Sequence, residues 1–358
     1  MIGYYVHHVG RGHLSRAAAI AEHLAGRGET VTGLSSLDRP PGWIGEWIVL
    51  PRDDDQIGPA APHGAGDVDD EADAGGRLHW VPLGNAGLRD RMAAVSAWIA
   101  AARPSVVVSD VSVEVALLAR LHGVAVATVV LPGRRDDAAH QLGFAVSSAL
   151  LSAWPESAHG MLHGLDEAAS RKHVRVGAIS RFSATLPEDI PIATSSTVGS
   201  GRRRVLVLNG RGGAEFDVGA LQRARARTPQ WEWSVVGGAS GEWVDDPWPR
   251  IRAADVVVTH AGQNAIAEIA AARRPAVVMA QDRPHDEQRH TAAALQRGGW
   301  PVVLIESEAA ADWAAVLSAA GALDGDTWST WNDGGGARRA ADTIADIARD
   351  VRERGSAG

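Results

Sequence analysis

The sequence predicts an α/β protein with two domains, each built around a parallel β-sheet. Short, uninterrupted apolar segments such as residues 105–110 (SVVVSD) are typical of strands that are buried on both faces. In both halves of the chain these segments alternate with helical patterns, and 358 residues are enough for two domains of ordinary size. A polar segment that contains Pro, Ser and Gly separates the two halves.

The N-terminal half begins with a predicted β-α-β unit. Residues 2–6 form a short apolar strand, and TVTGLSS forms a second one. Between them, Ala17, Ile20 and Leu24 recur at helical spacing. The helices MAAVSAWIAAARP and VEVALLARLHG then alternate with the strands SVVVSD and VAVATVVLP. Residues 49–80 are rich in Asp, Gly and Pro without any periodicity, and we expect a mobile surface loop there.

The alternation of strands and helices is interrupted near Ser180. We therefore expect a first domain over residues 1–180, a linker over residues 181–203 and a second domain over residues 204–335. The second domain contains the predicted strands RVLVLNG and WEWSVVGG with the helix FDVGALQRARART between them, and another β-α-β unit follows. Residues 336–358 are predicted to form an amphipathic helix that packs back on the first domain.

Composition and charge exclude several classes of protein. The net charge of −8 argues against a nucleic-acid partner, which requires a basic face. The absence of Cys excludes disulfides, thiolate metal sites and Cys nucleophiles. The first residues, MIGYYVHHVG, lack the basic and apolar regions of a signal peptide, and Asp110, Glu114 and Arg120 interrupt the most apolar stretches. We therefore expect a cytoplasmic protein without an integral membrane segment.

The segment VVVTHAGQNAIAEIAAARRPAVVM changes from strand to helix over His260, Ala261 and Gly262. The N-terminus of a helix suits a phosphate, and a glycine lets the backbone approach an anion closely. His260 and Asn264 add side-chain donors, and Glu268 is one turn further along, where a carboxylate accepts hydrogen bonds from the vicinal diol of a ribose. These features fit a nucleoside diphosphate. They also fit a tight turn in which Asn264 caps the helix and Glu268 is merely exposed.

A second polar group follows the next predicted strand, AVVMA, in the sequence QDRPHDEQRHTAAAL. Loops at the carboxyl ends of parallel strands meet at one sheet edge, so Glu287 and Gln288 are expected near His260. Adjacent carboxylate and amide side chains suit sugar hydroxyls. Taken alone, this segment is better explained as an ordinary polar helix start.

The stretch ADVVVTHAGQNAIAEIAAARRPAVVMAQDRPHDEQRHTAAAL resembles the donor half of GT-B glycosyltransferases. The likeness is to the cell-wall family that transfers N-acetylglucosamine from UDP to a muramyl-pentapeptide lipid, and to glycosyltransferases of natural products. It implies two Rossmann-like domains facing a cleft, an inverting reaction, a UDP-sugar as co-substrate, and neither a bound cofactor nor a metal. The donor-binding residues that it implies are Gly12, Gly210, Arg211, Gly212, Gly213, Val244, His260, Gly262, Gln263, Asn264, Glu268, Glu287 and Gln288.

Two departures from the family pattern bear on the substrates. Thr291 replaces the family's Asn after the acid-Gln pair, so the sugar stays open between glucose and N-acetylglucosamine. Residues 10–13 read Gly-Arg-Gly-His, with less glycine than the cell-wall enzyme has. The acceptor is therefore open between a small aglycone, a glycan and a lipid-linked molecule. Arg134, Arg135 and the acidic loop over residues 53–75 are expected to border the acceptor side.

Transfer to a hydroxyl requires a general base, and His13 at the end of the first glycine turn is the candidate. A His in this role needs an orienting partner, and Asp110 closes a predicted strand at the same sheet edge. His140 is a second-choice base or acceptor ligand. His7 and His8 are expected to be mainly structural.

Other functions fit the sequence less well or remain as alternatives. A nicotinamide dehydrogenase is disfavoured because the third glycine of its motif is Ser15 and no acidic residue clearly ends the second strand. The Asp-x-Asp strings at residues 53–55, 67–69 and 324–326 lie in predicted loops and are expected to be solvated rather than to bind a metal. A sugar-nucleotide epimerase shares the predicted fold and is the best alternative enzyme, and a non-catalytic sugar-nucleotide-binding subunit is a third possibility.

Overall fold

The computed structural model describes residues 1–9, 11–54, 72–182, 184, 201–210, 214–238 and 241–356. Most of the predicted surface loop, the Asp-x-Asp string at residues 67–69 and most of the predicted linker lie outside these residues. The chain divides into two compact units. Unit 1 comprises Met1–Ala153, Leu162–Val176 and Ala337–Gly358, and unit 2 comprises Trp154–Met161 and Gly177–Gly336.

Unit 1 is built on a parallel sheet with the strand order β3-β2-β1-β4-β5-β7-β9, and β6 and β8 pair separately. The strands are β1 (Ile2–Tyr5), β2 (Val31–Ser35), β3 (Glu46–Val49), β4 (Val106–Asp110), β5 (Ala125–Val130), β6 (Gly133–Arg134), β7 (Ala149–Ser152), β8 (Leu162–His163) and β9 (His173–Arg175). The chain runs outward from β1 in one direction and then from β4 in the other. The topological switch point therefore lies between β1 and β4.

Five helices connect these strands in the described part of unit 1. They are α1 (Arg11–Ala25), α2 (Ala86–Ala102), α3 (Val113–Leu121), α4 (Ala138–Val146) and α5 (Glu167–Arg171). The N-termini of α2 to α5 are capped by side chains that accept from backbone N–H groups, those of Asn85, Ser112, Asp137 and Asp166. The Trp98 ring of α2 lies against β1 at Gly3, where a Cβ atom would come within 2.5 Å of the ring. Glycine at this position therefore allows the helix to pack closely on the sheet.

Unit 2 is built on a second parallel sheet with the strand order β11-β10-β12-β13-β14. The strands are β10 (Arg203–Leu208), β11 (Trp231–Val236), β12 (Val256–His260), β13 (Ala276–Met279) and β14 (Val302–Ile305). The helices are α6 (Val218–Arg227), α7 (Trp248–Ala253), α8 (Gln263–Ala271), α9 (Glu287–Arg297) and α10 (Trp313–Ala320). Apolar strand residues, together with Trp233 and Trp313 in an edge-to-face pair, form the core on one side of this sheet. Here the switch point lies between β10 and β12.

The last helix, α11 (Gly336–Ser356), makes its ionic contacts within unit 1. Arg352 pairs with Glu29 at 2.7 Å, and Asp342 pairs with Arg27. None of the helices in the described ranges is both long enough and apolar enough to cross a bilayer.

Arg91 of α2 is a buried anchor for the ends of several strands. Its side chain is 1 % exposed and donates to the hydroxyl of Tyr5 at 2.7 Å and to the backbone oxygen of Pro51 at 3.1 Å. It also pairs with Asp53 at 3.1 Å. The expectation that this acidic string is solvated is therefore wrong for Asp53, which is 8 % exposed. The buried guanidinium needs a counter-ion, and Asp53 supplies it.

We expect Arg91→Met to lower the free energy of unfolding by about 3–5 kcal/mol, because it leaves the Asp53 carboxylate buried without its partner. Arg52→Met is the matched control, since Arg52 pairs with the neighbouring Asp54 and both side chains are largely exposed. The control should cost less than about 1 kcal/mol. Urea denaturation followed by Trp fluorescence measures both, and equal losses would contradict the role of Arg91 as an anchor.

Candidate active site

In unit 1, the two residues predicted to be catalytic lie at the switch point of the sheet. His13 is in the first turn of α1, which follows β1, and Asp110 is the last residue of β4. Nδ1 of His13 is 2.9 Å from Oδ1 of Asp110. Asp110 is fully buried, whereas 16 % of the His13 side chain is exposed. Part of the His13 side chain is therefore accessible to a substrate, whereas Asp110 can act only through its contact with His13. Gly12, also predicted as a site residue, precedes His13 in the same turn.

A third side chain, Arg16, completes this group. Arg16 follows His13 by three residues on α1, so the two share a helix face. Its Nη2 donates to Oδ1 of Asp110 at 2.7 Å and lies 3.0 Å from Nδ1 of His13. Burial alone would favour the neutral acid, but the charges and hydrogen bonds of Arg16 and His13 outweigh it and lower the pKa of Asp110 to about 2. Asp110 is therefore ionised at neutral pH.

The ionised carboxylate determines which nitrogen of His13 carries the proton. Nδ1 faces Oδ1 of Asp110 at hydrogen-bond distance, and an unprotonated Nδ1 would direct its lone pair at a carboxylate oxygen. Arg16 also approaches Nδ1, but its Nη2 can only donate and already donates to Oδ1 of Asp110, so in this assignment the 3.0 Å approach is a close contact and not a hydrogen bond. We therefore assign the proton to Nδ1, which donates to Asp110, and Nε2 keeps its lone pair. This arrangement can accept a proton from a hydroxyl group, as a general base does.

His7 and His8 extend this group. The His7 ring stacks on His8 with 5.1 Å between centroids and lies 5.6 Å from the His13 ring. Burial, and then the neighbouring His13 and His8, lower the pKa of His7 to about 3, so His7 stays neutral at physiological pH. Nε2 of His8 lies 3.6 Å from Asp53 and 3.4 Å from Asp54. These contacts link the loop after β1 to the segment after β3.

His140, the second-choice base, lies in the first turn of α4. Its Nδ1 is 2.6 Å from Oδ2 of Asp137, and its Nε2 is 3.2 Å from Nη1 of Arg135. Because a guanidinium can only donate, Nε2 of His140 accepts and the ring proton lies on Nδ1. Burial, and then the charges of His79 and Arg135, lower the pKa of His140 to about 3. Arg135 therefore already occupies the lone pair on Nε2, which His140 would need in order to act as a base.

The two arginines expected at the acceptor side have different surroundings. Arg134 is exposed and pairs with Asp136 at 2.8 Å. Arg135 is buried and donates to the backbone oxygen of Pro132 at 2.8 Å as well as to His140. Arg134 is accessible from solvent, whereas Arg135 holds the turn before α4.

Two groups of side chains in the described residues have the composition of a metal site, each with three ligand atoms within 4.8 Å of one another. They are His79, Asp137 and His140 in one group, and His8, Asp53 and Asp54 in the other. Guanidinium groups already contact both, because Arg135 bonds the His140 ring and Arg91 pairs with Asp53. A fixed positive charge beside the ligands opposes a second cation. Both groups therefore fit hydrogen-bond networks better than a bound metal ion.

In unit 2, His260 and Gly262 form the turn between β12 and α8. His260 ends β12, and Gly262 is the N-cap of α8, so no side chain caps the first N–H groups of this helix. Two side-chain nitrogens at this turn, Nε2 of His260 and Nε2 of Gln263, are buried and have no hydrogen-bond partner among the described residues. Asn264 follows in the same turn and is half-buried. Uncapped N–H groups and unpartnered side-chain nitrogens together suit an anion.

His260 is held in place from the loops after β10 and β11. Its ring stacks on Phe216 with 4.0 Å between centroids and 13° between the planes. The backbone N–H of Phe216 donates to Oδ1 of Asn209, whose Nδ2 donates to the backbone oxygen of Gly237. Burial lowers the pKa of His260 to about 4, so the ring is neutral at neutral pH. Stacking and hydrogen bonds thus join three loops around the turn at Gly262.

Part of the glycine loop that is predicted to contact phosphate is described. Gly210 is exposed, two residues beyond β10, and a Cβ atom there would meet no other atom within 4 Å. Because β10 and β12 are neighbouring parallel strands, Gly210 and Gly262 lie at the same sheet edge. Arg211, Gly212 and Gly213 lie outside the described residues.

Glu268 lies on α8, one turn beyond Asn264. Nε of Arg181 donates to Oε1 of Glu268 at 2.8 Å, and Nη1 of Arg181 donates to the backbone oxygen of Asp245 at 3.3 Å. Burial raises the pKa of Glu268, and the charge and hydrogen bond of Arg181 act against that rise. Arg181 therefore orients the carboxylate, of which 12 % remains exposed.

Val244, the predicted uracil contact, is half-buried in the segment between β11 and α7. The backbone around it is fixed on both sides. The backbone oxygen of Glu242 accepts from the backbone N–H of Gly237 at 3.0 Å, and the backbone oxygen of Asp245 accepts from Arg181. A ligand that contacts the Val244 backbone would meet a segment whose position is already set.

The predicted sugar ligands Glu287 and Gln288 begin α9, but their surroundings differ. Gln288 is buried, and its Oε1 accepts from the backbone N–H of Gln281 at 3.0 Å. The hydroxyl of Thr291 donates to the backbone oxygen of Glu287 at 3.0 Å. Gln288 and Thr291 thus stabilise the loop and the helix start, whereas the side chain of Glu287 is half-exposed.

The turn before α9 has an unusual backbone. His285 and Asp286 have φ angles of 60° and 56°, the left-handed region that disfavours residues with a Cβ atom. Two such residues in succession cost about 1–2 kcal/mol each. Strain of this kind is characteristic of functional loops, and here it immediately precedes Glu287.

The motifs in the sequence did not identify several residues at these sites. Arg16 carries a usable signal, because it lies three positions after His13 in a predicted helix. Arg181 carries none, since the surrounding segment has no periodicity. Asn209 and Phe216 flank the glycine loop, but nothing in their spacing indicates that they support His260.

Residues 242–317 match the model of the glycosyltransferase family 28 C-terminal domain. This stretch contains the turn at His260 and Gly262, the carboxylate of Glu268, and the start of α9. The chain has no significant match among proteins of curated function.

Solved structures resemble the chain over nearly its whole length. The glycotransferase of kitacinnamycin is 16 % identical, with 97 % of this chain and 98 % of that chain covered and a TM-score of 0.64. The calicheamicin glycosyltransferase CalG4 is 16 % identical, with 97 % and 98 % covered and a TM-score of 0.63. MurG of Acinetobacter baumannii is 14 % identical, with 96 % and 99 % covered and a TM-score of 0.58. The chain has the GT-B fold, as the sequence predicts, and the family 28 match supports a glycosyltransferase.

The lowered pKa of Asp110 predicts a specific pH dependence of stability. Its folded-state pKa of about 2 lies below the ordinary value of 3.8. The ionised form therefore stabilises the fold above about pH 4, and this contribution is lost as the pH falls towards about 2. Between about pH 5 and pH 2 we expect the wild type to lose on the order of 2 kcal/mol more unfolding free energy than Asp110→Asn. Parallel losses in urea denaturation of the two proteins would contradict this.

Proposed function

We propose that the protein is an inverting, metal-independent glycosyltransferase that moves a sugar from a UDP-sugar to an acceptor hydroxyl. The observation that most directly supports this proposal is the uncapped N-terminus of α8. There, buried side-chain nitrogens of His260 and Gln263 have no hydrogen-bond partner among the described residues. A diphosphate at this turn would accept hydrogen bonds from the backbone N–H groups and from both side chains. The family 28 match includes this turn.

The position of Glu268 supports a nucleoside attached to that diphosphate. A carboxylate repels phosphate but accepts hydrogen bonds from a vicinal diol, so a ribose would fit one turn along α8 from the anion site. Arg181 leaves the carboxylate oriented and partly exposed. The backbone at Val244 is then the candidate for contact with uracil, as the family resemblance implies. Glu287, half-exposed at the start of α9, is the better placed of the two predicted sugar ligands.

The chemistry follows from the two sites. As the acceptor oxygen bonds to the anomeric carbon, its proton passes to Nε2 of His13, and the bond from that carbon to the diphosphate oxygen breaks. Direct displacement inverts the anomeric centre. The negative charge that develops on the leaving UDP is stabilised by the N-terminus of α8 and by the nitrogens of His260 and Gln263. These groups supply the positive potential that a divalent metal supplies elsewhere, and Arg211 is a further candidate.

We expect Glu268→Ala to weaken UDP binding by about 1–3 kcal/mol, because it removes a charged hydrogen-bond acceptor for the ribose. Isothermal titration calorimetry with UDP measures the change. Glu232→Ala is the control, since Glu232 is exposed on the edge strand β11 and should leave the affinity unaltered.

Unchanged UDP affinity in folded Glu268→Ala would exclude Glu268 from the ribose site and leave the pairing with Arg181 as its role. Titration of the wild type with ADP and GDP tests which nucleobase the donor carries. Tighter binding of either one than of UDP would overturn the uridine assignment while leaving a nucleotide-sugar donor possible.

Transfer should proceed in EDTA at the rate seen without it, because protein groups provide the charge that stabilises the leaving group. Product analysis by mass spectrometry, with a panel of UDP-sugars and hydroxyl acceptors, measures this rate. Activity that is lost in EDTA and restored by manganese would contradict metal independence. Conversion of the UDP-sugar without an acceptor would indicate an epimerase, and binding without any turnover a non-catalytic subunit.

His13→Ala should lower turnover by roughly 10²–10⁴-fold, the usual contribution of a positioned general base. UDP affinity should hardly change, because the residues proposed to bind UDP lie in unit 2 and His13 lies in unit 1. A loss confined to turnover would then lie in the transition state. Asp110→Asn should give a smaller loss, since the imidazole remains but is less well oriented. His23→Ala, on the same helix, is the control and should behave as wild type. Near-normal turnover of His13→Ala would remove His13 from the mechanism.

A further inference from the structure

Arg16 is a buried charge that the proposed reaction does not yet use. It is 4 % exposed and lies on the first half of α1, where a long cationic side chain would ordinarily extend into solvent. Instead it reaches Asp110, which is also fully buried. Removing two charged groups from water is costly, so their close placement beside His13 calls for a functional explanation as well as a structural one.

His13 and Arg16 compete for one oxygen atom. Both contact Oδ1 of Asp110, at 2.9 Å and 2.7 Å, whereas the buried Oδ2 has no hydrogen-bond partner among the described residues. Nη2 of Arg16 also lies 3.0 Å from Nδ1 of His13. A guanidinium thus stands at hydrogen-bond distance both from the carboxylate that orients the imidazole and from the imidazole itself.

This arrangement changes the charge that His13 experiences. A His-Asp pair alone carries a net charge of about −1 before reaction and becomes neutral when the imidazole is protonated, so the carboxylate favours the imidazolium form. With Arg16 the group is neutral beforehand and positive afterwards. At about 4 Å, one unit charge contributes between about 1 and 4 kcal/mol, depending on the effective dielectric constant. Arg16 therefore opposes the protonation that Asp110 promotes.

We propose that Arg16 is a positioning residue that sets the pH range in which His13 can act as a base, by neutralising the Asp110 carboxylate that the two side chains share. This rests on the proposed function. The proton of the acceptor hydroxyl moves to Nε2 of His13, while Nδ1–H stays on Oδ1 of Asp110 and Arg16 keeps its own protons. Because Arg16 disfavours the imidazolium, Nε2 releases the proton to solvent more readily after turnover.

The other described groups that face His13 do not provide this charge. His7 is the nearest ring, and burial keeps it neutral. Tyr4 lies near Asp110, and burial followed by the Asp110 charge raises its pKa, so its hydroxyl is uncharged as well. Asp110 and Arg16 are thus the two charged side chains that contact the imidazole among the described residues.

The test compares Arg16→Met, which removes the charge, with Arg16→Lys, which keeps it. Arg27→Met is the control, because it removes the same charge just beyond α1, about 16 Å along the helix axis from Arg16. Two measurements are made on each folded variant. Long-range ¹H–¹⁵N NMR follows the protonation of the His13 imidazole in the ligand-free protein, assigned with His13→Ala. The pH profile of kcat/KM follows the same group during transfer.

In Arg16→Met we expect the His13 titration and the acid limb of kcat/KM to move up together by about one to two pH units. Arg16→Lys should restore most of the wild-type position, and Arg27→Met should not move it. An unmoved titration in folded Arg16→Met would overturn the proposal, as a purely structural Arg16 would lower stability alone. A shifted titration in a protein that transfers no sugar would uphold the role of Arg16 and reject the proposed function instead.

Discussion

In a parallel sheet all strands end at the same edge, so the loops that follow them are brought together whatever their separation along the chain. This constraint creates both candidate sites. His13 and Asp110 are 97 residues apart, yet they touch because β1 and β4 are neighbours on either side of the switch point. The turn at His260 and the loop at Gly210 meet in the same way, through β12 and β10. At these points the connections leave in opposite directions, which keeps the edge open to a ligand.

Buried acids in this protein are matched by arginines. Asp53 pairs with Arg91, Asp110 with Arg16, and Glu268 with Arg181, each at hydrogen-bond or salt-bridge distance. Arginine suits this role because it stays protonated and presents several donors in a fixed plane. One such cation can therefore bind a carboxylate and still contact a second group, as Arg181 does with Asp245. The chain has Lys172 as its single lysine, and the pairing of acids with permanent cations is consistent with that composition.

Periodicity predicted the fold well, and the limits of the prediction are physical. Apolar runs such as VVVTH and SVVVSD are buried on both faces and become central strands, whereas β9 (His173–Arg175) has three half-buried residues and gives no signal. At the sites, the motif at Gly262 predicted a helix N-terminus, and the structure has an uncapped helix there. The binding roles of its residues stay predictions. Gln288 fits the motif equally well, but its amide oxygen is used by the backbone of Gln281. Spacing along a chain reveals which residues share an edge and not which of their polar atoms are already engaged.

The position of α11 has a consequence for how the chain folds as it is made. Unit 1 contains β1 and also α11, so all of Gly177–Gly336, which belongs to unit 2, is synthesised between the first and the last parts of unit 1. All strands of the unit 2 sheet are therefore synthesised before α11, and Glu29 and Arg27 form their ion pairs with Arg352 and Asp342 only after α11 has emerged from the ribosome. Domains tend to form as units during translation. For this chain the later-encoded unit can finish first, and the unit that holds His13 is closed by the final helix.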